Sequence, residues 1–291
     1  MENVKGIRFS MLSITIDWLA GTFREFNDET EAFIRTYASA DDVQAIPPRN
    51  GYTIAQKDGR GVQFLWNSND NRMGYHVIFA GSALRNIFEQ TSIQPIALLR
   101  ACVDAGLRIS RLDLAKDLTG QEIDGQAIYQ SLKSGIGGGT ARNISRIENA
   151  QGGQTIYVGS RQSERFVRLY DKAQETGDTS KHWWRLEVET KGETARIIAS
   201  ALVEGNRPDI VFDGVFYKMV GERGNEQLEY FRSQTEISWS IPKIEKQTDR
   251  EKWIAEQVIS AVASHYIDNP FSEAIKALRA VLESIDKHRK D

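Results

Sequence analysis

Alternating and helical patterns of apolar residues divide the first 241 residues into interleaved strands and helices. Strict alternation predicts strands, whereas apolar positions three and four residues apart predict helices. The predicted strands cover residues 10–23, 52–55, 61–66, 75–80, 108–120, 154–160, 165–172 and 183–190. The predicted helices include one capped by Asn27 or Asp28, one beginning at Pro95 and one over residues 192–205. Such interleaving is typical of an α+β domain, with helices packed on a sheet-based core.

The sequence changes character after Pro242, where helical patterns cover residues 249–267 and 272–289. We therefore predict a catalytic domain over residues 1–241 and a small helical C-terminal module over residues 242–291. In the second helix the expected packing stripe consists of Ile275, Leu278 and Leu282.

Two pairs of short strings recur in the same order within the larger domain. FAGS precedes RLDL, and YVGS later precedes RLEV. This repetition predicts a duplicated core with similar halves at roughly residues 1–130 and 140–241.

Composition and charge restrict the classes of function. The chain has 37 Lys and Arg against 40 Asp and Glu, a formal net charge of -3, which excludes the overall basic field of a bulk nucleic-acid coat protein. Its single cysteine, Cys102, excludes a disulfide framework and predicts a reducing, cytoplasmic setting. No signal-peptide pattern or stretch of about 20 apolar residues is present, so we expect no membrane insertion.

Two predicted strands carry a ladder of arginine and acidic residues opposite an apolar face. Alternation places Arg111, Asp113 and Asp117 together on one strand, and Arg185, Glu187 and Glu189 together on another. Clustered carboxylates without a histidine motif are typical of a site for a hard cation, Mg²⁺ or Mn²⁺. The alternative interpretation is a solvent-facing surface with cross-strand ion pairs.

The strand over residues 165–172 places a tyrosine between two cations. Arg168, Tyr170 and Lys172 alternate onto one face, and such neighbours would favour the phenolate and attract a phosphate. Six basic residues against three acidic ones between residues 142 and 172 predict a local basic patch. The alternative interpretation of Tyr170 is a structural tyrosine at the strand surface.

Five strings in this order resemble the Rep-trans type of replication initiation factor, found in rolling-circle plasmids, filamentous phages and some integrative elements. They are DWLAGTF at 17–23, YHVIFAGSALR at 75–85, RLDLAKD at 111–117, TIYVGSRQSERFVRLYDKAQE at 155–175 and WWRLEVETKG at 183–192. The fourth string is the most specific of the five, and the resemblance spans roughly residues 10–205.

The resemblance implies an origin-nicking enzyme with a tyrosine nucleophile and a divalent cation, Mg²⁺ or Mn²⁺. It places the nucleophile at Tyr170, with Arg168 and Lys172 as catalytic neighbours and Tyr157 as the reserve nucleophile. The implied metal ligands are Asp113 and Glu187, with Asp117 and Glu189 as further candidates. The predicted DNA-binding residues are Arg111, Arg161, Arg165 and Arg185. Trp18, Trp183 and Trp184 are candidates either for stacking on bases or for the core.

The implied reaction is the nicking of one strand at the replication origin, through a 5′-phosphotyrosine intermediate that leaves a 3′-hydroxyl primer. Such an enzyme is a relaxase-like and topoisomerase-like endonuclease that can rejoin the strand. Its expected partners are origin DNA, single-stranded or in an extruded hairpin, and a host helicase, with a homodimer as an alternative to a monomer. Two other classes stay open at this point: a metal-dependent nuclease that activates water, and a non-catalytic origin-binding regulator.

Overall fold

The structure is a computed structural model whose described part runs from residue 14 to residue 288 with gaps. It covers residues 14–39, 41–68, 71–135, 138–150, 152–221, 226–233, 236, 238–242, 262–263, 265–266, 269–270 and 272–288. The chain divides into two compact units, Met1–Ile241 and Pro242–Asp291.

A ten-stranded antiparallel sheet with helices against it forms the first unit, which confirms the predicted α+β class. The strands are β1 (Ile14–Phe23), β2 (Gln44–Ala45), β3 (Ile54–Lys57), β4 (Gln63–Trp66), β5 (Tyr75–Ala80), β6 (Arg108–Thr119), β7 (Ile144–Glu148), β8 (Gln154–Gly159), β9 (Arg165–Asp171) and β10 (Trp183–Lys191). The helices are α1 (Asp28–Tyr37), α2 (Gly81–Thr91), α3 (Pro95–Asp104), α4 (Gly125–Ser134), α5 (Lys172–Thr176), α6 (Gly192–Val203) and α7 (Pro208–Val220). Short 3₁₀ helices occupy Asn71–Met73 and Glu226–Phe231.

The strand order, β2-β3-β4-β5-β1-β6-β10-β9-β8-β7, repeats one five-strand pattern on either side of the β1–β6 pair. In each half a helix follows the first strand, α1 or α4, and another follows the last, α2 or α6. The second copy of the repeat therefore begins at β6, after α3, and the predicted boundary at residues 130–140 is wrong. The FAGS and YVGS strings occupy different places in the two halves, whereas GSALR at 81–85 and GETAR at 192–196 begin the corresponding helices α2 and α6.

The main hydrophobic core lies between one face of the sheet and helices α2, α3, α6 and α7. Leu112, Leu114 and Leu186 are almost fully buried on the sheet side, and Cys102 is fully buried on α3, as expected for a core cysteine. Helix α7 is apolar on nearly every side, so it has no amphipathic stripe by which the sequence pattern could predict it.

A buried ion pair joins β6 to α7. Lys116 is fully buried, and its Nζ donates to Asp213, to the Phe231 carbonyl at 3.0 Å and to Ser233 Oγ at 3.1 Å. All three ammonium protons therefore have acceptors, as a buried lysine requires.

In the second unit the structure describes one long helix, α8 (Glu273–His288). Ile275 is buried, but Leu278 is 37% exposed, so the predicted packing stripe is wrong at that position. The side chain of Leu282 and most of the helix predicted over residues 249–267 lie outside the described residues. Among the helices that the structure describes, none is both long and apolar enough to cross a membrane.

Candidate active site

The face of the sheet opposite the helices carries mostly polar side chains. Paired residues on this face form three rows that cross the strands of the second half. One row is Asp117, Arg185, Tyr170, Thr155 and Ile147. The next is Ala115, Glu187, Arg168, Tyr157 and Ser145. The third is Asp113, Glu189, Phe166 and Gly159. Alternation thus places the predicted acids and the predicted tyrosine on one surface.

Residues from all three rows line a cleft of about 850 Å³. Its acidic lining residues are Asp17, Asp113, Asp171, Glu175, Glu187 and Glu189, and its basic ones are Arg85, Arg111, Arg161, Arg168, Lys172 and Lys191. The formal charges of this lining therefore balance. The basic patch predicted from residues 142–172 is wrong for the cleft itself, because neighbouring strands supply acids that sit far away in sequence.

A β-bulge in β1 adds an acid and an aromatic ring to the cleft. The pairing of β1 with β6 shifts between Ile16 and Trp18, leaving Asp17 as the extra residue. Consequently Ile16 and Leu19 both point into the core although they are three residues apart, while Asp17 and Trp18 both line the cleft. Simple alternation cannot reveal such a bulge, so the sequence pattern does not predict Asp17 in the site.

Three buried carboxylates at the base of the cleft share two arginines. Asp113, Glu187 and Glu189 have side chains 1%, 3% and 5% exposed. Arg111 donates through Nε and Nη2 to Asp113, at 2.9 and 2.7 Å, and through Nη2 to Glu189 at 2.8 Å. Arg168 Nη2 lies 2.8 Å from Glu187 and 3.2 Å from Asp113. The network holds the acids in place and offsets much of their negative charge.

Burial nevertheless raises the pKa values of two of these acids. The pKa of Asp113 is raised to about 6 by burial, although the hydrogen bond and charge of Arg111 oppose the shift. The pKa of Glu187 is also raised to about 6 by burial, against the opposing charge of Arg168. Both groups are therefore ionised at neutral pH but able to take up a proton at mildly acidic pH.

The hydroxyl of Tyr170 donates a hydrogen bond to Glu187 Oε1 at 2.5 Å. Lys172 is the first residue of α5 rather than the end of the strand. Its Nζ lies 3.4 Å from the phenol oxygen of Tyr170 and forms an ion pair with Glu175. Burial, followed by the charge and hydrogen bond of Glu187, raises the pKa of Tyr170 above its ordinary value. The prediction that two cations favour the phenolate is wrong, because both cations are engaged by carboxylates and the nearest charge to the phenol is negative.

Arg185 holds two carboxylates beside the cleft. It donates through Nε and Nη2 to Asp117, both at 2.7 Å, and through Nη1 to Asp17 at 2.8 Å. Asp117 also accepts from Trp183 Nε1 at 2.9 Å and does not line the cleft. Arg185 is therefore placed to hold carboxylates, and direct contact with DNA stays a prediction.

The other predicted residues fall on both faces of the sheet. Tyr157 and Arg161 line the cleft, whereas Arg165 is on the opposite face by strand alternation and does not line it. Trp184 is 6% exposed and belongs to the core, so it is not a base-stacking residue. Trp18 lines the cleft beneath Arg111, whose guanidinium carbon is 4.5 Å from the ring centroid.

The chemistry of the donor set fits a hard divalent cation, since three buried carboxylates face one cleft. Within the part of the chain that the structure describes, no group of three or more His, Cys, Asp or Glu residues is arranged to hold a metal ion. Arg111 and Arg168 bind the same carboxylates, so a cation would share these ligands with the two guanidinium groups.

Comparisons with known proteins identify a family and a shared fold. Residues 107–289 match the Rep_trans family, described as replication initiation factors. A solved structure, a rolling circle replication initiator protein from Geobacillus stearothermophilus, shares the fold with a TM-score of 0.63 and 21% identity, over 79% of this chain and 92% of that chain. A comparison with curated proteins finds no match. Because the family match covers more than half of the sequence, the chain belongs to the Rep_trans family of replication initiation factors.

Proposed function

We propose that this initiator nicks one strand of its origin with Tyr170 as the nucleophile. The observation that carries the proposal is the 2.5 Å hydrogen bond from the Tyr170 hydroxyl to Glu187, at the base of a cleft in a chain of the initiator family. A tyrosine whose phenol faces a carboxylate has both a nucleophilic oxygen and an acceptor for its proton.

In the proposed reaction the Tyr170 proton moves to Glu187 Oε1 as the phenol oxygen bonds to the scissile phosphorus. The bond from phosphorus to the DNA O3′ breaks, and that oxygen takes a proton from water to become the 3′-hydroxyl primer. The hydroxide that remains takes up the proton from Glu187 and becomes water again. The 5′ end stays on the enzyme as a phosphotyrosine, so the strand can be rejoined by the reverse reaction. Because this pathway removes the phenol proton during attack, it does not require a lowered tyrosine pKa.

Glu187, predicted as a metal ligand, fits the role of proton acceptor better. One of its oxygens accepts from Tyr170 and the other pairs with Arg168. Among the described interactions, Asp113 and Glu189 do not contact the phenol. We therefore propose that these two carboxylates bind Mg²⁺ or Mn²⁺. When bound, such a cation would stabilise negative charge that develops on the phosphate oxygens.

Arg168 and Lys172 are assigned to orienting the reacting groups. Arg168 joins Glu187 to Asp113, and Lys172 Nζ lies 3.4 Å from the phenol oxygen. Incoming phosphate would compete for both cations, since each is already paired with a carboxylate that it can share. Origin DNA is the proposed partner, and it must be unpaired at the nick to reach a phenol at the base of a cleft.

The test is relaxation of a supercoiled plasmid that carries the protein's own replicon. The proposal expects Mg²⁺- or Mn²⁺-dependent relaxation by the wild-type chain and none by Tyr170→Phe of equal thermal stability. Relaxation by Tyr170→Phe at the wild-type rate would exclude Tyr170 and favour a nuclease that activates water. Origin binding by the wild-type chain without any change of topology would instead favour a non-catalytic regulator.

A further inference from the structure

An arginine lies over a pair of stacked aromatic rings at the edge of the cleft. The rings of Tyr157 and Phe166 are 5.6 Å apart between centroids and only 16° from parallel. The guanidinium carbon of Arg161 is 5.3 Å from the Tyr157 centroid and 5.2 Å from the Phe166 centroid. Phe166 is 3% exposed although it lies on the polar face, in register with Glu189. This arrangement, the Arg161 platform, places an apolar plane among charged side chains.

Arg161 differs from Arg111, Arg168 and Arg185 in its hydrogen bonds. Arg111, Arg168 and Arg185 each hold carboxylates, whereas the exposed guanidinium of Arg161 donates to no acceptor within the described residues. The backbone at Arg161 is nevertheless anchored, because its carbonyl accepts from Lys191 Nζ at 2.5 Å and that ammonium also pairs with Glu189 at 2.7 Å. The arginine thus has a fixed backbone, a planar charged group and unused N–H donors.

Tyr157, one ring of the Arg161 platform, is a diagonal neighbour of the proposed nucleophile. Tyr170 is directly opposite Thr155, and Tyr157 is two residues further along the same strand. Diagonal neighbours of this kind on adjacent antiparallel strands are about 7–8 Å apart. A strand with its phosphate at the Tyr170 hydroxyl would therefore bring a flanking base over Arg161.

We propose that the Arg161 platform binds the base of an unpaired nucleotide next to the scissile phosphate. The base would stack on the outer plane of the guanidinium, with Tyr157 and Phe166 behind it, and the free N–H groups would contact the adjoining phosphate. Only an unstacked base offers its face in this way, so the platform selects single-stranded over duplex DNA. The placement beside the nick rests on the proposed function, but the binding site rests on the platform's own geometry.

The test compares binding of two probes, a fifteen-nucleotide strand of thymidylates and the same sugar-phosphate backbone without bases, by fluorescence anisotropy in chelator. Arg161→Lys keeps the charge and removes the plane, and Arg35→Lys, an exposed arginine of α1, is the matched control. We expect Arg161→Lys to weaken binding of the thymidylate strand about tenfold while leaving binding of the base-free strand nearly unchanged, since stacking on one residue is worth roughly this factor. Arg35→Lys should match the wild type on both probes.

Two outcomes would overturn the inference. Equal weakening of both probes by Arg161→Lys would mean a purely electrostatic contact, and unchanged binding of both probes would mean that stacking occurs elsewhere. A second variant, Tyr157→Ala, should lose the same preference, while Tyr157→Phe should keep it because the ring remains. Since the binding assay needs no cleavage, loss of base preference in Arg161→Lys would support the platform even if Tyr170 proved not to be the nucleophile.

Discussion

Glu187→Gln tests how the phenol of Tyr170 is activated. The amide keeps the size of the side chain but cannot accept the phenol proton as a base, and removal of a general base typically slows a reaction by about 10²–10⁴-fold. The hydrogen bond from Tyr170 would also change from one with a charged acceptor, worth about 1.5–3 kcal/mol, to one with a neutral acceptor, worth about 0.5–1.5 kcal/mol. Single-turnover nicking of a labelled origin strand should therefore slow at least a hundredfold in Glu187→Gln.

The comparison variant is Glu189→Gln, on the same strand and the same face. As a proposed metal ligand, Glu189 should be needed mainly at limiting Mg²⁺, so excess Mg²⁺ should restore the rate of Glu189→Gln but not that of Glu187→Gln. Glu189 is similarly buried and pairs with Arg111, but among the described interactions it does not contact the phenol. In addition, Glu187→Gln should lower the pKa of Tyr170, because the charge and hydrogen bond of Glu187 help to raise it. The changed hydrogen bond can be detected at neutral pH as a shift of the phenol carbon signal of labelled tyrosine by NMR, with Tyr170→Phe used to assign the signal. Recovery of the Glu187→Gln rate in excess Mg²⁺, with no change in the phenol signal of Tyr170, would refute the assignment of Glu187 as the proton acceptor.

Three further predictions concern pH, metal and stability. Because its raised pKa of about 6 leaves Glu187 protonated in more acidic solution, the nicking rate should fall about tenfold per pH unit below 6; a rate that climbs steadily to pH 10 would contradict this. Asp113→Asn should raise the Mg²⁺ concentration needed for half-maximal nicking, and full activity of this variant in chelator would remove the metal assignment. Lys116→Met should destabilise the fold by about 3–5 kcal/mol in urea unfolding, because Asp213 is left as a buried charge, and the double variant with Asp213→Leu should recover stability; no loss in the single variant would contradict the buried pair.

Regular strands made much of the site predictable from sequence. Asp113 with Arg111, and Glu187 with Glu189, lie on one surface because β6 and β10 alternate without interruption over these residues. The same regularity placed Arg168 and Tyr170 together on β9. Alternation depends only on local backbone geometry, so one sequence is enough to reveal it.

The parts that could not be predicted depend on contacts between distant residues. Asp17 enters the site through a bulge set by the pairing of β1 with β6. The predicted direction of the Tyr170 pKa shift is wrong because burial and the charge of Glu187, which lies on another strand, outweigh the flanking cations. The repeat was placed at the wrong boundary because short shared strings do not record which strands pair.

Covalent capture of DNA tests the central claim, that Tyr170 is the nucleophile, most directly. Wild type, Tyr170→Phe and Tyr157→Phe are each mixed with an end-labelled strand of the replicon's own origin in Mg²⁺ or Mn²⁺ and run on a denaturing gel. We predict a protein-linked DNA band for the wild type and for Tyr157→Phe, and none for Tyr170→Phe. A linked band that persists in Tyr170→Phe and disappears in Tyr157→Phe would contradict the claim and move the nucleophile to the neighbouring strand.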